Sequence, residues 1–140
     1  VGLTFSVTIP GQPKGINRLK VRRNWRSTAT GPVSYPSIGK DAQTEQYQDD
    51  VTVLVRNARP SGWKWDGGFV RTVFRFHFGH DQDVDNSVKV IHDGIAAALG
   101  INDTWFLPTV VSKESGVKAP FVEITIGAAM DLCPCCGKPY

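Results

Sequence analysis

Apolar and polar residues alternate from Leu3 to Ile9, the period-two signature of a half-buried strand, and Pro10, Gly11 and Pro13 end it. A stronger run of the same period spans Phe69 to Phe78. Val70, Thr72, Phe74, Phe76 and Phe78 share one side, predicted to be core. Arg71, Val73, Arg75 and His77 share the other, which reads either as the wet side of a sheet or as the lining of a basic channel. Between these runs the period changes to that of a helix. Tyr47, Val51, Leu54, Val55 and Ala58 form one stripe over Asp41–Ala58, with acids Asp41, Glu45, Asp49 and Asp50 early and Arg56 and Arg59 late, as the helix dipole favours. A second amphipathic stripe, Val88, Ile91, Ile95 and Leu99, predicts a helix from about residue 86 to 99, closed by Gly100. Gly94 inside it suits a close helix contact. Val110–Lys113 and Phe121–Ile126 read as a hairpin joined by Glu114–Pro120. Residues 27–38 read as a loop, and 60–68 as a turn whose Trp63 and Trp65 pack on the sheet edge. These elements predict an α+β fold: a mixed, largely antiparallel sheet with two main helices in a single domain, residues 1–128, followed by a tail, 129–140.

Composition narrows the class. At 140 residues the chain is long enough for a real core, and its apolar content is ordinary for a globular domain. No run spans a membrane and no signal peptide is visible, so the expected compartment is the cytoplasm. The net charge of +3 hides an asymmetry: Lys14, Arg18, Lys20, Arg22, Arg23 and Arg26 fall together with no acid among them. Such a stripe suits a phosphate backbone, against the plainer reading of a solvated loop. Trp25, set among these cations, can stack on an unpaired base or lie buried. Cys133, Cys135 and Cys136 crowd the tail and form no disulfide framework. Cys133 and Cys136 have the spacing of half a zinc site, which two copies would complete with Zn2+; the other reading is a disordered, thiol-bearing end.

The chemistry concentrates in HDQDVDNSVKVIHDGIAAALGINDTWF, His80 to Phe106. Asp81, Asp83 and Asp85 alternate, so an extended segment would put Asp83 and Asp85 on one face beside a hard cation. Lys89 follows Asp85 by one helical turn and Asp93 lies a turn further. Carboxylate clusters suit Mg2+ or Mn2+ and phosphodiester hydrolysis, with a lysine to stabilise charge on phosphate. The alternative is an acidic turn that caps a helix. A calcium loop is excluded, since Asn86 replaces the required glycine and His92 the bidentate glutamate. His77 and His80 stand near the acids, where either could carry a proton, and His92 reads as a surface helix residue.

The run Asp83-x-Asp85-Asn86-x-x-Lys89-x-x-x-Asp93, then Gly100 and Asp103, resembles the signature of RusA-type Holliday junction resolvases. Phe5–Pro10, Pro13 and Asn17-Arg18 resemble that family's first strand and loop, so the likeness covers roughly residues 3–126. It implies an Mg2+-dependent crossover junction endodeoxyribonuclease of DNA recombination and repair. Asp83, Asp85 and Asp103 would hold metal and, with Lys89, form the catalytic set. Lys14, Asn17, Arg18, Lys20, Arg22, Arg23 and Arg26 are the expected DNA-binding residues. Asn102-Asp103 departs from the paired acids expected in the last motif.

A straight helix over 86–99 is about 20 Å long, and four further residues reach back at most about 14 Å. Asp103 is therefore expected to join Asp83 and Asp85 of a second chain, in a symmetric dimer that matches a four-way junction. The alternatives are a less structure-selective metal nuclease and a non-catalytic branched-DNA-binding protein.

Overall fold

The computed structural model describes residues 4–15, 19–129 and 135–136, with the backbone alone at 19–24 and 36–40. The order is β1 (Phe5–Pro10), β2 (Leu19–Thr28), β3 (Gly31–Lys40), α1 (Ala42–Ala58), β4 (Val70–Phe78), α2 (Val84–Leu99), a short 3-10 turn (Asp103–Trp105), β5 (Thr109–Ser115) and β6 (Phe121–Ala128). Four strands form a mixed sheet in the order β1-β6-β4-β5, and β2 and β3 form a separate two-stranded sheet. The α+β class with two main helices stands as expected.

β4 is central. It pairs antiparallel with β6 (Phe74↔Ile124) and parallel with β5 (Phe74↔Val111). The predicted hairpin of the last two strands is therefore wrong, because β4 lies between them. A parallel partner needs a crossover, and α2 with the 3-10 turn supplies it. Periodicity locates strands but says nothing of which neighbour they choose.

The loop expected over 27–38 is also corrected. β2 and β3 pair in register from Leu19↔Lys40 to Thr28↔Gly31, leaving Ala29 and Thr30 as the turn. Pro32 and Pro36 argue against a strand inside a sheet. In a ribbon of two, each strand keeps an outer edge where a missing N–H costs nothing. The apolar alternation here, Leu19 and Val21 and then Val33 and Tyr35, is cut short by Arg22-Arg23 and by the prolines, too soon to read as strands.

Both helices cover one face of the sheet. Phe74, Phe76, Phe78, Ile9, Val122, Ile124 and Ile126 meet Val51, Val55, Val90, Ile91 and Ile95 in a single core. Asp41 is the N-cap of α1, accepting from the Thr44 amide at 2.7 Å. α1 and α2 meet at Gly94, whose absent Cβ would lie 2.8 Å from Val51 Cγ1, and Thr52 Oγ1 donates to the Gly94 carbonyl at 3.0 Å. On the opposite face of the sheet Arg71 and Val73 are buried, so that side is wet only toward Arg75 and His77. Trp63 is buried against Phe5, while Trp65 is exposed beside Trp105.

His92 is not a surface residue. Its ring packs against Phe74 and Phe106 and hydrogen-bonds Thr72 Oγ1 at 2.9 Å. Burial lowers its pKa to about 4.

Gly94→Ala should destabilise the domain by about 1–3 kcal/mol in urea unfolding, since Val51 and the Gln48 carbonyl must move to admit a methyl group. His92 gives a pH dependence of defined sign. Folding disfavours its protonated form, so stability is full above pH 6.5 and falls as the pH drops toward 4. The loss is at most about 3 kcal/mol. His92→Gln, which offers Thr72 an amide and cannot titrate, should flatten that slope in unfolding curves taken across this range.

Candidate active site

The chain leaves the carboxyl end of β4 at Phe78 and enters α2 at Val84. The acids do not share one extended segment, contrary to the expectation. Asp83 is the residue before the helix, with φ −67° and ψ 132°, and Asp85 sits in the first helical turn. They share the end of a helix rather than a face of a strand, because Val84 already begins the helix. Here the helix dipole favours both charges. Both residues are exposed, and neither carboxylate makes a hydrogen bond or ion pair among the described residues.

The other acids are engaged. Lys113 Nζ donates to Asp81 at 2.9 Å and holds its carboxyl below the usual range, and Ser115 Oγ adds a bond at 3.3 Å. That contact ties β5 to the turn. Lys89 Nζ donates to Asp103 at 2.7 Å and to Asp93 at 3.0 Å. Asp103 first, then Asp93, raises the Lys89 pKa, and Lys89 in return lowers that of Asp103. Lys89 and Asp103, expected to belong to one site through a second chain, thus meet within this chain, together with Asp93 and apart from Asp83 and Asp85. Among the described residues no three His, Cys, Asp or Glu side chains are grouped to hold a metal ion. In this chain, therefore, Asp103 does not complete a three-carboxylate set.

A cleft of about 240 Å³ opens beside Asp83, lined on one side by Gln12, Pro13, Lys14 and Gly15 and on the other by His80, Gln82, Asn86 and Ser87. The loop after β1 thus brings Lys14 to the acidic turn. Of the other expected DNA-binding residues, Asn17 and Arg18 lie outside the described residues. Lys20, Arg22, Arg23 and Arg26 fall on β2, where Arg26 is exposed with its guanidinium 5.8 Å from the centre of the Tyr35 ring. Trp25 is 68% exposed, which removes the buried alternative.

His77 takes no part in the cleft. It is held between Glu114 and Glu123, stacked on Phe121, and its pKa is raised chiefly by the Glu114 hydrogen bond. His80 lines the cleft. Of the predicted zinc pair, Cys133 lies outside the described residues; Cys136 carries a free thiol, and its carbonyl accepts from Arg75 Nη2 at 3.2 Å.

Gln12, Gln82 and Ser87 were invisible in the sequence. A glutamine in a polar loop carries no periodic or spacing signal, and Ser87 stands in the helix as any small polar residue would.

Removing the Lys89 ammonium should release Asp103. In Lys89→Met the Asp103 carboxyl should titrate at higher pH than in the parent, read by carbon-detected NMR of side-chain carboxyls. An unchanged titration would break the assigned ion pair.

No family model matches the chain, and no curated protein matches it. Among solved structures it is similar to the 2C-methyl-D-erythritol 2,4-cyclodiphosphate synthase of Plasmodium vivax, at 13% identity over 90% of this chain and 96% of that one, with a TM-score of 0.33. A likeness of that size carries no argument about either fold or activity.

Proposed function

We propose that this chain is a metal-dependent endonuclease that nicks branched DNA, with the four-way junction as substrate and two copies acting together. The observation that carries the reading is the pair Asp83 and Asp85. They are two exposed carboxylates without a partner among the described residues, in the spacing Asp-x-Asp-Asn-x-x-Lys, and Asp83 lines a cleft.

Two solvated carboxylates fit Mg2+ or Mn2+, which accept few protein ligands and keep several waters. Bound there, the ion would supply an activated water and stabilise the oxygens about phosphorus. The chain's own part is to place charge. Lys89 stays protonated throughout the neutral range, since Asp103 and Asp93 both raise its pKa. Lys14 brings a cation to the far side of the cleft. Lys20, Arg22, Arg23 and Arg26 lie on the β2–β3 ribbon, a sheet separate from the four-stranded one, and would meet a duplex arm there.

The third carboxylate would come from a second copy. In the antiparallel packing of two α2 helices about a two-fold axis, each chain would offer its Asp103 to the other, at the cost of the ion pair with Lys89. That same ion pair, which occupies both Lys89 and Asp103, favours one other reading: a protein that binds branched DNA without cutting it.

The test is a labelled synthetic four-way junction beside a linear duplex of the same arms, with Mg2+ and with EDTA. Paired nicks in the junction alone, lost with EDTA, are expected. Asp85→Asn should lower the nicking rate by roughly a hundredfold or more while leaving junction binding intact. Cutting of both substrates would point to a general nuclease, and binding without cutting to the non-catalytic reading.

A further inference from the structure

The cleft has a built floor. Gln12 Oε1 accepts from the Gly79 amide at 2.7 Å, and Gln12 Nε2 donates to the His80 carbonyl at 3.2 Å and to Gln82 Oε1 at 2.8 Å. Gln82 Nε2 then donates to the Pro13 carbonyl at 2.8 Å and to Ser87 Oγ at 2.9 Å. Both hydrogens of each amide nitrogen have an acceptor, and each amide oxygen has a donor. Turning either amide over would set N–H against N–H and carbonyl against carbonyl, so both orientations are fixed by chemistry. Ser87 is fully buried. A satisfied, partly buried network of this kind holds its members in one arrangement.

The bonds fall beside the residues that matter. Pro13 is followed by Lys14, and Gln82 by Asp83. The same two glutamines therefore join the loop after β1 to the turn before α2, one residue short of the charge on each side.

We propose that Gln12 and Gln82 form an amide latch that sets the spacing of Lys14 and Asp83 across the cleft, and that Gln82 is a positioning residue of the nuclease site. The inference rests on the nuclease reading for its role, though not for its geometry. Gln82 touches no reacting atom; it acts through Asp83, Lys14 and the buried hydroxyl of Ser87. A metal-dependent phosphoryl reaction is sensitive to such spacing, since displacements of about 1 Å can cost a hundredfold in rate.

The variants are Gln12→Met, Gln82→Met and the double substitution, each close in size to the parent and unable to form the latch. Two readouts are needed. Amide hydrogen exchange should rise together at residues 12–15 and 79–83 in either single variant, with α2 unchanged. Junction cleavage should show kcat lowered roughly 10- to 100-fold with KM within about threefold, and the double variant should be no slower than the slower single. A side chain that only fills space would lower the unfolding midpoint without this split between kcat and KM. Exchange that rises in one segment only, a kcat equal to the parent's, or losses that multiply in the double variant would each overturn the proposal. If the parent cuts neither junction nor linear DNA, the nuclease reading fails and the positioning role fails with it. The exchange comparison still decides the latch in that case.

Discussion

Phe74, Phe76 and Phe78 project from one side of β4 and have to leave water together, each contributing on the order of 2 kcal/mol or more when buried. The helices α1 and α2 cover them, and those helices approach closely because Gly94 has no side chain where Val51 lies. This fixes much else. α2 must start close to where β4 ends, so the turn of residues 79–83 is short and its acids sit at the carboxyl end of a central strand. In layered α/β units that is where ligands gather, outside the ends of the strands. The crossover from β4 through α2 to β5 then carries Asp83, Asp85, Lys89, Asp93 and Asp103 within one supersecondary unit.

The core was legible because burial imposes a period. Every apolar position picked out on β4, α1 and α2 faces the interior or its margin, and Gly94 and Gly100 serve as a close contact and a left-handed helix end. What the residues did not reveal lacks such a period. β2 and β3 form a separate two-stranded sheet, and their apolar alternation is too short to read as a strand. The parallel partnership of β5 depends on which edge was open, a long-range choice that local residues cannot encode. His92 looked polar and peripheral, yet a neutral imidazole can bury its ring if one nitrogen finds a hydroxyl, as Thr72 provides.

The candidate site divides in the same way. The resemblance put Lys89 and Asp103 in one set of residues, and the two meet within this chain. The resemblance also grouped Asp103 with Asp83 and Asp85, a set that the length of the helix was expected to keep apart within one chain, and among the described residues one chain does not assemble it. The helix explains the difference: a side chain one or two turns along α2 can be reached by the returning segment, while the far end of the same helix cannot. The glutamine network escaped notice because it joins residues about seventy positions apart through amides, the least distinctive polar groups in a sequence.

The ribbon of β2 and β3 gives the molecule two levels of stability. Its hydrogen bonds are shared between two strands, and neither outer edge pairs with the other sheet, whereas β4 and β6 each lie between two neighbours. A two-stranded hairpin on its own is marginal in water. Breaking the ribbon's own hydrogen bonds leaves the ladder of the four-stranded sheet intact, so the ribbon need not open together with that sheet. Its arginines and lysines then become the natural entry points for a trypsin-like protease, and a single nick there would leave the four-stranded sheet and both helices joined by their own packing.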